Sequence, residues 1–132
     1  MVVLIPSYKR TDVLKWVIQS VLQCDHEGIK ERVLLLIVNN YYPNKKEVKA
    51  IISSFEFRGK FECEIIHREK TLPAVESWFK ALFDSVRENE VVVLLGDDDL
   101  LMPWGLKNRY QQILEQKADM LISDFYDRIY FF

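Results

Sequence analysis

The sequence predicts an α/β domain built on a mainly parallel, doubly wound sheet with helices on both faces. Short apolar runs alternate with longer segments in which apolar residues recur at helical spacing, the pattern of strand–helix–strand units. The runs 33–38 and 91–95 are entirely aliphatic, as strands buried on both faces usually are. Only four glycines and four prolines occur, and none marks a linker, so residues 1–132 are predicted to form one domain.

The first half of the chain predicts two strands and two helices. The apolar run after Met1 stops at Pro6, and the next segment places Leu14, Val17 and Val21 on one helical face, with Thr11 or Asp12 as the N-cap. A turn-rich loop with a proline separates the second strand from the second helix. The predicted order is strand 2–5, helix 12–23, strand 33–38, loop 39–44 and helix 45–55.

The second half continues the alternation. A helix is predicted from the apolar stripe formed by Val75, Trp78, Phe79, Leu82 and Phe83. Pro103 is predicted to occupy the first position of the following helix, where its missing N–H costs nothing. The predicted order is strand 62–67, helix 73–86, strand 91–95, helix 103–116, strand 119–123 and a candidate sixth strand over 128–132.

The composition excludes several classes of protein. Eighteen basic and 20 acidic residues give a net charge of -2, which argues against a nucleic-acid partner. The aliphatic run 33–38 is too short to span a bilayer, and no charged leader precedes the first apolar run. Cys24 and Cys63 lack a CxxC spacing and are expected to be reduced thiols. The sequence therefore predicts a soluble, cytoplasmic protein without a membrane span.

Asp97, Asp98 and Asp99 follow a buried strand directly. In doubly wound sheets ligands bind at the carboxyl ends of the strands, so the triplet lies where a site is expected. Adjacent carboxylates repel one another unless a cation offsets their charge, and Mg²⁺ or Mn²⁺ prefers such oxygen ligands. The alternative is a solvated turn in which one aspartate caps the next helix.

Two segments resemble the family 2 glycosyltransferases. Residues 5–10, Ile-Pro-Ser-Tyr-Lys-Arg, are similar to the I-P-T-Y-N-R type motif at that family's opening strand and loop. Residues 96–103, Gly-Asp-Asp-Asp-Leu-Leu-Met-Pro, are similar to its DXD segment. The order of the elements between the motifs also matches, so the resemblance extends over the whole chain. It implies a GT-A, Rossmann-like fold whose N-terminal half binds a nucleotide-activated sugar.

The resemblance also implies roles for individual residues. Pro6, Ser7 and Tyr8 would line the nucleoside pocket, with Tyr8 against the base. Arg10 would approach the base or the phosphates, and Asp97 would contact the ribose or the metal. Asp98 would be the principal metal ligand, and Asp99 would be the second carboxylate of an Asp97-x-Asp99 interpretation.

The sequence departs from the family pattern in two places. The loop after the second strand usually carries an aspartate pair that accepts a hydrogen bond from uracil, and here the pair is Asn39–Asn40. An amide both donates and accepts, so base binding remains feasible but the base preference is open; the alternative is that both asparagines only form the turn. Leu72 stands where some relatives carry an arginine, and Lys70 is the candidate substitute.

The function implied by the resemblance is transfer of a sugar from a nucleotide diphosphate donor, with a UDP-sugar favoured, to a saccharide or lipid-linked acceptor in polysaccharide biosynthesis. We expect the chain to be a truncated, donor-binding part that lacks the acceptor-binding half and its catalytic base. Asp124 and Asp127 match that base poorly, and the apolar run 129–132 predicts self-association. The alternative function is a non-catalytic nucleotide-binding or interaction domain of the same architecture.

Overall fold

The computed structural model describes residues 1–120, which form an α/β fold around a four-stranded sheet. All neighbouring strands run parallel, in the spatial order β3–β2–β1–β4, as the sequence predicts. The strands are β1 (Val2–Ser7), β2 (Val33–Asn39), β3 (Phe61–His67) and β4 (Val92–Leu94).

Four helices connect or follow these strands. They are α1 (Thr11–Leu22), α2 (Lys45–Ser53), α3 (Ala74–Ser85) and α4 (Gly105–Gln116), and a short 3₁₀ turn, Tyr42–Asn44, precedes α2. None of the helices within residues 1–120 is long and apolar enough to cross a membrane.

The predicted start of the last helix is wrong by two residues. Pro103 and Trp104 form a turn, closed by a hydrogen bond from the Gly105 amide to the Met102 carbonyl at 2.7 Å, and α4 begins only after it. The predicted fifth strand begins at Asp119, but Asp119 and Met120 are not in a strand. Its remainder, Asp124, Asp127 and the candidate sixth strand lie outside the described residues.

The sheet is covered on both faces, so the doubly wound prediction is confirmed. On one face the odd-numbered side chains of β1 and β2, such as Ile5 and Leu35, pack with residues of α1, α2 and α4. On the other face Leu4 and Leu36 pack against Trp78, Ala81 and Leu82 of α3. This alternation follows from the two-residue period of a strand, which sends successive side chains to opposite faces.

The predicted apolar stripe of α3 is only partly buried. Trp78 and Leu82 pack towards the sheet, whereas Val75, Phe79 and Phe83 are exposed, Phe83 by 85%. Within the described residues, α3 is the only helix that packs against the sheet face formed by Leu4 and Leu36. The apolar stripe of α3 is wider than the part of the helix that contacts this face. Leu94 of β4 is also exposed.

An ion-pair network closes the amino end of the sheet. Glu90, just before β4, accepts hydrogen bonds from Arg32 Nε at 2.9 Å and Nη2 at 3.1 Å, and from the Arg87 amide at 2.8 Å. The Glu90 side chain is 7% exposed, and the Arg32 hydrogen bonds lower its pKa to about 2. Arg32 also donates to the Ser85 carbonyl at 3.1 Å, so the pair links the starts of β2 and β4 to the end of α3.

The strand order reverses between β1 and β4. The chain proceeds outward from β1 to β2 and β3, and then returns through α3 to place β4 on the other side of β1. Neighbouring connections therefore leave in opposite directions, which opens a crevice beyond the carboxyl ends of β1 and β4. We call this the β1–β4 crevice; residues 8–10 and 96–99 bound it.

Candidate functional site

The two motifs identified in the sequence meet in the β1–β4 crevice. The backbone amide of Tyr8 donates a hydrogen bond of 3.1 Å to Asp97 Oδ2, which lies 89 residues later in the chain. Arg10 Nη1 forms an ion pair with Asp98 Oδ2. The sheet register brings them together, because β1 pairs directly with β4 from Val2 opposite Val92 to Leu4 opposite Leu94.

Asp97 anchors the loop after β1. Its side chain is half-buried, and burial raises the pKa of the carboxyl group, while the Tyr8 amide and Arg10 oppose that rise. The hydrogen bond to Tyr8 occupies one carboxylate oxygen. Asp97 therefore positions Tyr8 at the crevice.

The carboxylates of Asp98 and Asp99 converge over Gly96. A Cβ atom added to Gly96 would lie 2.6 Å from Asp99 Oδ2 and 3.3 Å from Asp98 Oδ1, so the two oxygens flank one point that only glycine leaves open. The Asp99 amide donates to the Gly96 carbonyl at 3.2 Å and closes the turn that holds this arrangement. Two carboxylates on a tight turn fit Mg²⁺ or Mn²⁺, which take oxygen ligands and keep several positions for water and phosphate.

Residues 1–120 would not complete such a metal site alone. Residues 1–120 contain no group of three or more His, Cys, Asp or Glu side chains arranged to hold a metal ion. A cation held by Asp98 and Asp99 would therefore take its other ligands from water or from the phosphates of a bound nucleotide.

Two tyrosines and a lysine form an aromatic cluster beside these carboxylates. The rings of Tyr8 and Tyr41 meet edge to face with 5.6 Å between centroids, and the Lys9 ammonium lies 5.1 Å and 4.9 Å from the two ring centroids. Lys9 adopts a left-handed backbone conformation with φ of 66°, which is uncommon for a residue with a side chain. Tyr8 is half-exposed, so one aromatic ring is open to a ligand.

Ser7, Asn39 and His67 lie side by side at the last positions of β1, β2 and β3. Ser7 is buried and its hydroxyl has no hydrogen-bond partner within residues 1–120, while Pro6 before it is half-buried. Asn39 Nδ2 donates to Asn44 Oδ1 at 2.8 Å and contacts His67 Nδ1 at 3.1 Å, and Asn39 Oδ1 accepts from the Tyr41 amide at 3.1 Å. Asn39 is fully buried, so its side chain holds the loop and Tyr41 in place.

This arrangement fixes the state of His67. Since the Asn39 amide nitrogen donates, His67 Nδ1 must accept, which requires the neutral ring. Burial, followed by the charges of Lys45 and Lys49, lowers the pKa of His67 and favours that neutral form.

Asn40 forms a two-point connection to the segment after β3. Its Nδ2 donates to the Leu72 carbonyl at 2.8 Å and its Oδ1 accepts from the Leu72 amide at 3.0 Å. The Asn40 side chain thus pairs with the backbone of Leu72 as a neighbouring strand would. Lys70, the candidate substitute, is exposed.

Tyr41 and Lys9 are members of this site that the sequence argument missed. Tyr41 directly follows the asparagine pair, and Lys9 lies inside the first motif, so both residues lie in segments that the sequence marks as candidate loops of the site. A tyrosine or a lysine in the sequence does not indicate that the loops after β1 and β2 bring two aromatic rings into contact. That contact follows from the pairing of β1 with β2.

The same arrangement of strands and helices occurs in a solved protein. Neither a protein-family model nor a curated protein matches this sequence. The structure of S. aureus TarS 1-349 superposes with a TM-score of 0.70 at 19% sequence identity, over 89% of this chain and 33% of that one. TarS is a glycosyltransferase. The chain shares the fold of this part of TarS.

TarS structures with ligands match slightly less closely. The complex of TarS 1-349 with UDP-GlcNAc gives a TM-score of 0.67 at 19% identity, and the complex with UDP gives 0.66 at 17% identity. Each alignment covers 89% of this chain, which spans about a third of TarS 1-349. The predicted fold is confirmed by these structures, and it is the fold of a protein solved with a nucleotide sugar.

Proposed function

We propose that this chain binds a nucleoside diphosphate sugar, a UDP-sugar in the first instance, as the donor-binding part of a glycosyltransferase. One observation carries the proposal. The two motifs that resemble family 2 glycosyltransferases, 89 residues apart at Tyr8 and Asp97, are hydrogen-bonded to each other at the strand-order reversal. That is where ligands bind in sheets of this kind.

The residues of the crevice have distinct roles in this proposal. Tyr8 and Tyr41 offer aromatic surface to the base, beside Pro6 and Ser7, and Arg10 provides a guanidinium for phosphate. Asp98 and Asp99 hold Mg²⁺ or Mn²⁺, and Asp97 positions the Tyr8 loop next to the ribose. A bound divalent cation would supply Lewis-acid stabilisation for the charge on the departing diphosphate.

Base recognition is expected to differ from the family pattern. The Asn39 side chain is committed to Asn44, His67 and Tyr41, so it holds Tyr41 rather than the base. Asn40 has one amide hydrogen beyond its bond to Leu72, and that hydrogen is its remaining donor for a base. A carbonyl of uracil would accept it.

Transfer to an acceptor is a further part of the proposal. The chain spans about a third of TarS 1-349, and the carboxylates of residues 96–99, which bound the crevice, are already assigned to donor and metal. We therefore place the acceptor-binding residues and the catalytic base outside residues 1–120. The 132-residue chain is expected to bind a donor without transferring sugar to a saccharide or lipid-linked acceptor.

A second candidate is an interaction domain of the same architecture. The exposed side chains of Val75, Phe79 and Phe83, which lie four residues apart on one face of α3, favour it, because exposed apolar patches commonly mark protein contacts. The expected self-association through residues 129–132 lies outside the described residues. Nucleotide binding separates the two candidates, since an interaction domain has no need of the β1–β4 crevice.

Calorimetric titration of UDP into the chain tests the proposed function. We expect saturable binding in Mn²⁺ and a loss of roughly tenfold or more in affinity when a chelator replaces the metal, because a cation held by Asp98 and Asp99 would offset the charge of the diphosphate. Uridine, which lacks the phosphates, is the matched ligand and should show no metal dependence. Failure of UDP to bind in either condition would favour the interaction domain.

A further inference from the structure

The ion pair between Arg10 and Asp98 joins a predicted phosphate-binding residue to a predicted metal ligand. The side chains are 54% and 53% exposed, so water surrounds both charged groups. Exposed pairs of this kind add little to stability because solvent screens them and the long arginine side chain loses freedom. The pair can therefore open at small cost when a better partner arrives.

Asp98 faces two competing uses of its charge. Its Oδ2 contacts Arg10, while its Oδ1 lies 3.3 Å from the point over Gly96 that Asp99 Oδ2 also approaches. A divalent cation at that point would draw on the same carboxylate that neutralises Arg10. Metal bound to Asp98 therefore weakens the hold of Asp98 on the guanidinium.

The phosphates of a bound nucleotide are a suitable second partner for the Arg10 guanidinium once Asp98 releases it. The planar array of N–H groups on the guanidinium matches two phosphate oxygens at once, a geometry that a lysine ammonium does not offer. Arg10 immediately precedes α1 and follows Tyr8 by two residues, so it stays beside the nucleotide region after it leaves Asp98.

We propose that Arg10 exchanges partners, from Asp98 in the metal-free protein to the diphosphate of a nucleotide when a divalent cation takes Asp98. The inference rests on the proposed function, since it needs a diphosphate in the crevice. Arg10 is then a positioning residue that couples the two ligands, because each ligand favours the arrangement that the other requires. Without metal, Arg10 is occupied and the crevice holds the nucleotide poorly.

The test uses two binding measurements that must change in opposite directions. Arg10→Met removes the competing charge and keeps an apolar stem of similar reach. We expect the variant to bind Mn²⁺ alone roughly threefold to fivefold more tightly than wild type, because Asp98 is no longer paired. In saturating Mn²⁺ the same variant is expected to bind UDP roughly tenfold or more weakly, because a charged contact to phosphate is lost.

Lys9→Met is the matched control for the metal measurement. It removes a neighbouring positive charge that lies over the tyrosine rings and not on Asp98. If Lys9→Met tightens Mn²⁺ binding as much as Arg10→Met does, a general charge effect explains the change and the exchange is overturned. An Arg10→Met variant whose Mn²⁺ and UDP affinities both fall, or both stay unchanged, also overturns it.

The outcomes distinguish this inference from the proposed function. In one outcome, wild type binds UDP in Mn²⁺, but Arg10→Met does not show both tighter Mn²⁺ binding and weaker UDP binding. That outcome overturns the exchange and leaves the proposed donor site standing. Wild type that fails to bind UDP under any condition removes the proposed function and, with it, the exchange.

Discussion

Asp98→Asn is expected to lower the metal-dependent affinity for UDP by roughly 30-fold to several thousand-fold, equivalent to on the order of 2–5 kcal/mol. The substitution keeps the shape of the side chain and removes a charge from the point over Gly96 where Asp98 and Asp99 converge. Folding should barely change, since the pair with Arg10 is exposed and adjacent carboxylates repel one another. Calorimetry of UDP binding in Mn²⁺ measures the effect, and urea unfolding checks the fold.

Asp84→Asn is the matched control for this variant. Asp84 is an exposed aspartate on α3, outside the residues that bound the β1–β4 crevice, and its replacement should leave UDP affinity unchanged. The solvated-turn alternative makes a different prediction for Asp98→Asn, namely equal UDP affinity in Mn²⁺ and in chelator. That result would remove the metal site.

Glu90→Gln is expected to destabilise the fold by about 2–3 kcal/mol near neutral pH. Arg32 lowers the pKa of Glu90 from 4.5 to about 2, so the folded state favours the ionised carboxylate more strongly than the unfolded chain does. The resulting stability is present above pH 4.5 and is lost as the pH falls through that value towards pH 2. Urea unfolding of both proteins at pH 7 and pH 3 should therefore show a gap that shrinks by about half or more at the lower pH.

The neighbouring Glu88 provides the control. It is exposed, and Glu88→Gln should change the free energy of unfolding by less than about 0.5 kcal/mol. A Glu90→Gln gap that is as large at pH 3 as at pH 7 would show that the charge of Glu90 is not its source. The amino-end network would then stabilise the fold by packing alone.

Much of the fold could be predicted because its two central strands, β1 and β2, are buried on both faces. The aliphatic run 33–38 leaves few alternatives to a central parallel strand, and β2 lies there, buried along its whole length. The run 91–95 contains β4, but β4 lies at the edge of the described sheet with Val92 and Leu94 exposed, so the prediction that this strand is buried on both faces is wrong. The exposed part of α3 could not be predicted, since an apolar stripe is the same whether a partner covers it or not. Phe79 and Phe83 satisfy the helical pattern and yet face outward.

The site was predictable in position more than in detail. The rule that ligands bind where strand order reverses located Tyr8 and Asp97 on one crevice, as the hydrogen bond between them shows. The roles of Asn39 and Asn40 depend on partners from distant segments, such as His67 and Leu72, which sequence spacing does not reveal. Both amides hold loops, which is closer to the turn-forming alternative than to base recognition.

The most direct test of the central claim is to map nucleotide binding onto the chain by NMR. In ¹H–¹⁵N spectra recorded with Mg²⁺, added UDP should shift the amide signals of Tyr8, Arg10, Asp97 and Asp99 most. Signals at the amino end of the sheet, such as those of Val33 and Glu90, should stay in place. Largest shifts at the amino end or along the exposed face of α3, or no shifts at all, would contradict a donor site in the β1–β4 crevice.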